Sequence, residues 1–184
     1  MQAKETGFDG LIELVPNVFH DNRGWFLEFY KESTLKNVGI DMRFPQENLS
    51  FSQKGVIRGL HFQREPHAQA KLVTVLSGSV LDVVVDIRPT SRTFGQVYYC
   101  KLDAKDKKML MVPEGFAHGF AALEDTMFYY KCSSVYNKAS ESGIIWNDPQ
   151  LKIQWPVGEP LVSDKDKLLP SFEELLRNSV NSRN

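Results

Sequence analysis

Cysteine is nearly missing from this chain: Cys100 and Cys132 are its two thiols. A disulfide scaffold, a CxxC redox pair and a cysteine zinc set are thereby excluded, since each needs more thiols or closer spacing. Two reduced, half-buried thiols on strands are expected instead. No apolar stretch approaches the ~20 residues that a bilayer-spanning helix needs, so no membrane partner is expected. Neither charge prevails, because 22 Lys and Arg against 23 Asp and Glu leave a net charge of −1. A protein that coats nucleic acid needs surplus cations to displace counterions, so no nucleic-acid partner is expected either. The opening residues Met1-Gln2-Ala3-Lys4-Glu5 carry an acid and no apolar run, unlike a secretory leader, and a cytoplasmic location is the expectation. Repeats, low-complexity linkers and composition shifts are also missing. One domain over residues 1–184 is expected, with a polar tail, 178–184, that frays.

Period two is the dominant signal. In Leu81-Asp82-Val83-Val84-Val85-Asp86-Ile87, four apolar side chains share one face, while Asp82, Val84 and Asp86 share the other. That pattern predicts a strand. Further strands are predicted over 25–30, 48–52, 72–76, 96–102, 108–112 and 126–136, and over 151–155, where Leu151, Ile153 and Trp155 alternate with polar residues. Asp21-Asn22-Arg23-Gly24, Lys54-Gly55, Ser77-Gly78 and Pro113-Glu114-Gly115 supply turns. Helix signals are few. One short helix is predicted over 32–38. Another follows Pro170, where Ser171 and Glu174 form a capping box. Many short strands with little helix predict an all-β sandwich or jelly roll with short peripheral helices.

Four histidines, His20, His61, His67 and His118, raise the question of a metal. Metal-binding cupins use Gly-x5-His-x-His with a following Glu, then Pro-x-Gly-x-x-His. Here Gly55 and His61 keep the first spacing, but Gln63 stands where the second His belongs. The second half is intact as Pro113-Glu114-Gly115-Phe116-Ala117-His118. His61 and His118 are too few for a site of three protein ligands, so no metal is expected. The pattern still suggests that both histidines point into one barrel.

Taken singly, the polar residues read blandly. A His on an apolar strand is more often a satisfied core residue. Arg58 and His61, three apart, face opposite ways on a regular strand unless Gly59 allows a bulge. Arg23 reads as an exposed turn residue and Lys71 as a solvated edge charge. Tyr129 and Tyr130 face opposite sides, so only one shares an interior with His61.

Taken together, the segments say more. Asp21-Asn22-Arg23-Gly24-Trp25-Phe26-Leu27-Glu28, Gln46-Glu47-Asn48, Arg58-Gly59-Leu60-His61-Phe62-Gln63, Gln69-Ala70-Lys71-Leu72-Val73 and the Gly78-to-Arg88 strand occur in order. Ser91-x-Thr93-Phe94-Gly95, Pro113-to-Phe120, Tyr130-Lys131-Cys132, Trp146-Asn147-Asp148-Pro149 and Ser163-x-Lys165-Asp166 follow. From about Val15 to Phe172 this chain resembles the dTDP-4-dehydrorhamnose 3,5-epimerase family.

That resemblance implies a cupin-type jelly roll working as a homodimer on a dTDP-sugar, without a cofactor. It implies His61 as catalytic base, Asp166 as the carboxylate that orients it, Tyr130 as proton donor on the opposite face, and Lys71 as the cation by the sugar keto oxygen. It implies substrate contacts at Arg23, Glu28, Gln46, Asn48, Arg58, Lys71, His118, Glu141 and Lys165, and an aromatic at Tyr136 beside the sugar or nucleotide. Some of these contacts cross the dimer in the family. The implied activity is epimerisation at C3 and C5 of dTDP-4-dehydro-6-deoxy-D-glucose, in dTDP-L-rhamnose biosynthesis. A ketone at C4 acidifies both neighbouring carbons, so a His tuned by a carboxylate suffices as base. A cation suits the developing oxyanion, and Arg23 and Arg58 suit a diphosphate. The alternatives are a relative that inverts C3 or C5 only, a non-catalytic sugar-binding cupin, and a metal-dependent dioxygenase, the last disfavoured by Gln63.

Overall fold

Strong turn chemistry cuts this chain into short extended pieces, and a computed structural model, which describes residues 1–181, shows how they assemble. In chain order the elements are β1 (Gln2–Glu5), β2 (Ile12–Val15), β3 (Val18–Asp21), β4 (Gly24–Leu27), α1 (Glu32–Asn37), β5 (Gln46–Ser52), β6 (Val56–Gln63), β7 (Lys71–Ser77) and β8 (Ser79–Asp86). They continue as β9 (Val97–Asp103), β10 (Met109–Val112), β11 (Phe116–Ala122), β12 (Thr126–Cys132), β13 (Glu141–Gly143), β14 (Leu161–Val162), α2 (Asp164–Lys167) and α3 (Phe172–Asn181). Residues 178–181, expected to open a frayed tail, continue α3, and the rest of that tail, 182–184, lies outside the described residues.

Two sheets face each other as a jelly roll. One runs β1-β2-β10-β7-β12-β5 and the other β13-β6-β11-β8-β9, with β14 beside β6, while β3 and β4 form a separate hairpin. Both sheets contribute to the interior: Val73, Val75 and Phe128 from the first meet Val80, Val84, Phe116 and Phe120 from the second. Leu175 and Phe172 of α3 cover the outer face of the second sheet at Leu60, Val83 and Val85. Leu35 of α1 covers the first near Leu14 and Leu72. A strand covered on both faces is buried throughout; β11 is of this kind, and β8 is too except at half-buried Leu81. That is why β11, with no alternation, escaped the period-two reading. Among the described residues no helix is long and apolar enough to cross a membrane.

Several sequence expectations need adjusting. The strand predicted over 126–136 ends at Cys132, and that predicted over 25–30 at Leu27. Residues 151–155 are not a strand. They alternate because Leu151, Ile153 and Trp155 pack on the core beside α3, but their backbone finds no neighbouring strand. Asp148 Oδ1 instead accepts from the N–H groups of Gln150 and Leu151, each at 2.9 Å, and Trp155 Nε1 donates to Trp146 O at 2.7 Å. The C-terminal capping box forms as read: Ser171 N–H donates to Glu174 Oε2 at 2.8 Å, and Glu174 N–H to Ser171 Oγ at 3.2 Å. Both cysteines are free and buried.

Candidate active site

One irregularity in β6 sets the site. Along the β6–β11 ladder His61 pairs with His118 but Arg58 pairs with Phe120, so three steps on β6 match two on β11. Gly59 makes this bulge, at φ +114°. A Cβ there would sit 2.6 Å from Gly119 Cα and 2.7 Å from His118 O, so no other residue fits. The bulge brings Arg58 and His61, three apart, onto the wall of one cleft of about 650 Å3.

His61 is fixed by a carboxylate from far along the chain. Its Nε2 lies 2.7 Å from Asp166 Oδ1. Asp166 is buried on the short helix α2, where its N–H is capped by Ser163 Oγ at 3.1 Å, and its Oδ2 accepts from Gly59 N–H at 3.2 Å. Burial would raise the Asp166 carboxyl, but the bonds from His61, Gly59 and Ser163 prevail and hold it below the usual carboxylate range. An ionised Asp166 binds Nε2–H, which leaves Nδ1 as the basic atom. A parallel pair lies deeper. His118 Nε2 is 2.8 Å from Asp82 Oδ2, with Asp82 fully buried and its Oδ1 lacking a donor among the described residues.

The opposite wall belongs to the other sheet. Tyr130 on β12 pairs with Val73 of β7 and Asn48 of β5, and its ring lines the same cleft. Burial raises its phenol above the ordinary tyrosine value, so it keeps its proton. Tyr129 faces the other way, where its hydroxyl donates to Glu47 Oε2 at 2.8 Å. Lys71, a solvated edge charge when read singly and a site cation by the resemblance, is a half-buried residue of the cleft with its ammonium 6.0 Å from the Tyr130 ring centroid. It makes no ion pair among the described residues. Burial pushes its pKa down, against the pull of Cys132, Asp82 and Glu141.

At the rim, Arg58 Nε donates to Ser52 Oγ at 2.9 Å and its NH2 group to Phe51 O at 3.0 Å. Glu141 accepts from Lys165 Nζ at 2.6 Å and Tyr136 Oη at 2.7 Å. A recess of about 140 Å3 joins Gln46, Asn48, Tyr136 and Glu141 to His61, Lys71 and Tyr130. Two predicted site residues stand apart. Arg23 is exposed on the β3–β4 hairpin and paired with Asp21 at 2.6 Å, and Glu28 accepts from Thr34 Oγ1 at 2.9 Å. Neither lines the cleft of this chain.

Sequence reading missed Ser50, Ser163 and Cys132 of these walls. Ser50 was findable, since it continues the alternation of Gln46 and Asn48 along β5. Among the described residues no three His, Cys, Asp or Glu side chains converge on one point; each site histidine is engaged with a carboxylate of its own.

A base on one sheet and a protonated phenol on the other can take a proton from one face of a flat ketone and return one to the opposite face. The class so defined is an epimerase built on a cupin-type jelly roll. This chain belongs to the dTDP-4-dehydrorhamnose 3,5-epimerase family, whose model matches residues 5–174. It is 46% identical over 168 residues to a dTDP-4-dehydrorhamnose 3,5-epimerase of Shigella flexneri, covering 90% of this chain and 93% of that protein. A solved epimerase of Mycobacterium tuberculosis superposes with TM-score 0.92 at 42% identity, over 98% of this chain and 92% of that one. A Legionella pneumophila 3,5-epimerase, crystallised with dTDP-4-keto-L-rhamnose, gives TM-score 0.89 at 43% identity, over 94% and 93% of the two chains.

Proposed function

We propose that this protein inverts C3 and C5 of dTDP-4-dehydro-6-deoxy-D-glucose to give dTDP-4-dehydro-L-rhamnose, in dTDP-L-rhamnose biosynthesis. The observation that carries this is the His61–Asp166 pair on one wall of the cleft and Tyr130 on the other. His61 Nδ1 takes the proton from C3 or C5. The C–H electron pair delocalises into the C4 carbonyl, and the enolate oxygen is met by the Lys71 ammonium. Tyr130 gives its phenolic proton to the opposite face of the same carbon, and imidazolium and tyrosinate then re-equilibrate with water. Arg58 and Lys165 at the rim suit the diphosphate, and Tyr136 suits the base or sugar.

Arg23 and Glu28 fit this reading in a homodimer. The hairpin that carries Arg23 also exposes Phe19, Trp25 and Phe26, with Trp25 and Phe26 58% and 69% accessible. Apolar surface of that kind favours a partner, and a second copy would bring Arg23 and Glu28 to the neighbouring cleft. Free buried thiols and a nucleotide-activated substrate suit the cytoplasm.

The deciding experiment incubates the enzyme with dTDP-4-dehydro-6-deoxy-D-glucose in heavy water and follows the product by NMR. Deuterium at both C3 and C5 with rhamno configuration is expected. Label at one carbon alone would reassign the protein to single-site epimerisation, and no label would remove the enzymatic reading.

A further inference from the structure

The stretch 133–140, between β12 and β13, carries Tyr136 but has no strand ladder of its own. Backbone groups in such a stretch need other partners. For three consecutive residues they come from two side-chain amides. Tyr136 N–H donates to Gln46 Oε1 at 2.7 Å, and Asn137 N–H donates to Gln63 Oε1 at 2.7 Å. Gln63 Nε2 donates to Val135 O at 3.3 Å and to His67 O at 2.6 Å. The Gln63 side chain is thus engaged at both ends, and turning the amide over would set donor against donor and acceptor against acceptor.

Gln63 is 6% exposed and sits two residues beyond His61 on β6, in the wall of the small recess. Tyr136, by contrast, is 52% exposed, so packing does little to fix its ring. Its backbone bonds and its hydroxyl bond to Glu141 do the fixing.

We infer that Gln63 is a positioning residue for substrate binding. It ties 135–137 and the turn at His67 into one wall, and so sets where Tyr136 and Glu141 stand at the rim. This rests on the functional reading above. Gln63 itself does not meet the reacting atoms, because its amide is spent on backbone. Its loss should therefore weaken capture of the nucleotide-sugar and spare the proton transfers.

The test compares wild type with Gln63→Met, which keeps the length but not the hydrogen bonds. Gln63→Glu keeps the acceptor for Asn137 N–H but sets a carboxylate against two carbonyls. Steady-state kinetics on dTDP-4-dehydro-6-deoxy-D-glucose, calorimetry with dTDP, and hydrogen exchange at the Tyr136 and Asn137 amides are read for each. Gln63→Met should raise KM and weaken dTDP binding about tenfold, the scale of one or two net hydrogen bonds. Its kcat should stay within about twofold, and exchange should quicken at 136 and 137 but not along β11. In Gln63→Glu, KM relative to wild type should recover as pH falls and the carboxyl regains a donor, a recovery that Gln63→Met cannot show. Unchanged KM and dTDP affinity in a folded Gln63→Met, or a fall in kcat alone, would overturn the inference. If Gln63→Met fails to fold, Gln63→Glu decides by the same measures. A wild type that neither turns over this sugar nor binds dTDP strikes at the functional reading and at the binding role. Slow exchange at Asn137 in the variants would then also show that Gln63 does not hold the wall.

Discussion

In the proposed mechanism His61 is the base, with Asp166 on its Nε2 and Nδ1 left for substrate. His61→Asn should lower kcat by ~10²–10⁴-fold, with the circular dichroism spectrum unchanged. Tyr130→Phe should still exchange deuterium into substrate, since the His61 face is intact, yet form inverted product far more slowly. Tyr129→Phe, on the opposite side of β12, should leave inversion untouched, and the reverse result would refute the facing of that strand. The proposed role of Lys71 needs its protonated form, and burial lowers its pKa. Activity should therefore be present below that pKa and disappear as pH rises through it, before the ordinary lysine value of ~10.4. A pH profile of kcat/KM checks this, and Lys71→Arg should shift the alkaline limb upward. At this scale the sequence was a partial guide. The opposite facing of Tyr129 and Tyr130 followed from strand alternation alone. The environment of Lys71 did not, because its burial depends on strands far away in the chain.

Elements differ in how plainly they announce themselves. The capping box at Ser171 and Glu174 is a local interaction, so sequence placed the start of α3 correctly, but not its end, which lies at Asn181. Helix α2 is Asp-Lys-Asp-Lys, with no apolar period to read, yet it delivers Asp166. Residues 151–155 show the reverse failure, an alternation produced by packing without a ladder. The β6 bulge was signalled by Gly59 between Arg58 and His61, though whether it formed depended on the partner strand. Gly59→Ala should be severely destabilising, by roughly 3 kcal/mol or more, because it forces a positive φ and a backbone clash together. Urea unfolding measures that loss. In the turn after β8, Arg88, Ser91 and Thr93 all donate to Asp86. Burial opposes them, but the carboxyl is held down to about 2. A depressed carboxylate adds stability above its unfolded value of ~3.9 and loses it as pH falls through the folded value. Acid unfolding of Asp86→Asn should lack the part of the wild-type transition between those limits.

Across the whole molecule, what sequence periodicity could not supply is pairing. That β6 lies beside β11, or that Tyr130 faces His61 across the sandwich, is decided by chain crossings over many residues. The resemblance of ordered motifs supplied those roles instead. The exposed hairpin belongs to this scale as well. Sedimentation should give twice 21.0 kDa, and Trp25→Ser with Phe26→Ser should give a single-chain species with little activity. A dimer that survives both changes would place the interface elsewhere. The deep pair Asp82 and His118 has an evolutionary consequence. A buried polar pair adds little net stability, because the cost of desolvating both groups offsets the bond between them, and here one carboxylate oxygen has no donor among the described residues. Selection for heat resistance alone should therefore drift toward leucine and phenylalanine at these two positions. In a library sorted on both properties, melting temperature and turnover should run in opposite directions there, so the pair would persist only in lineages screened for product.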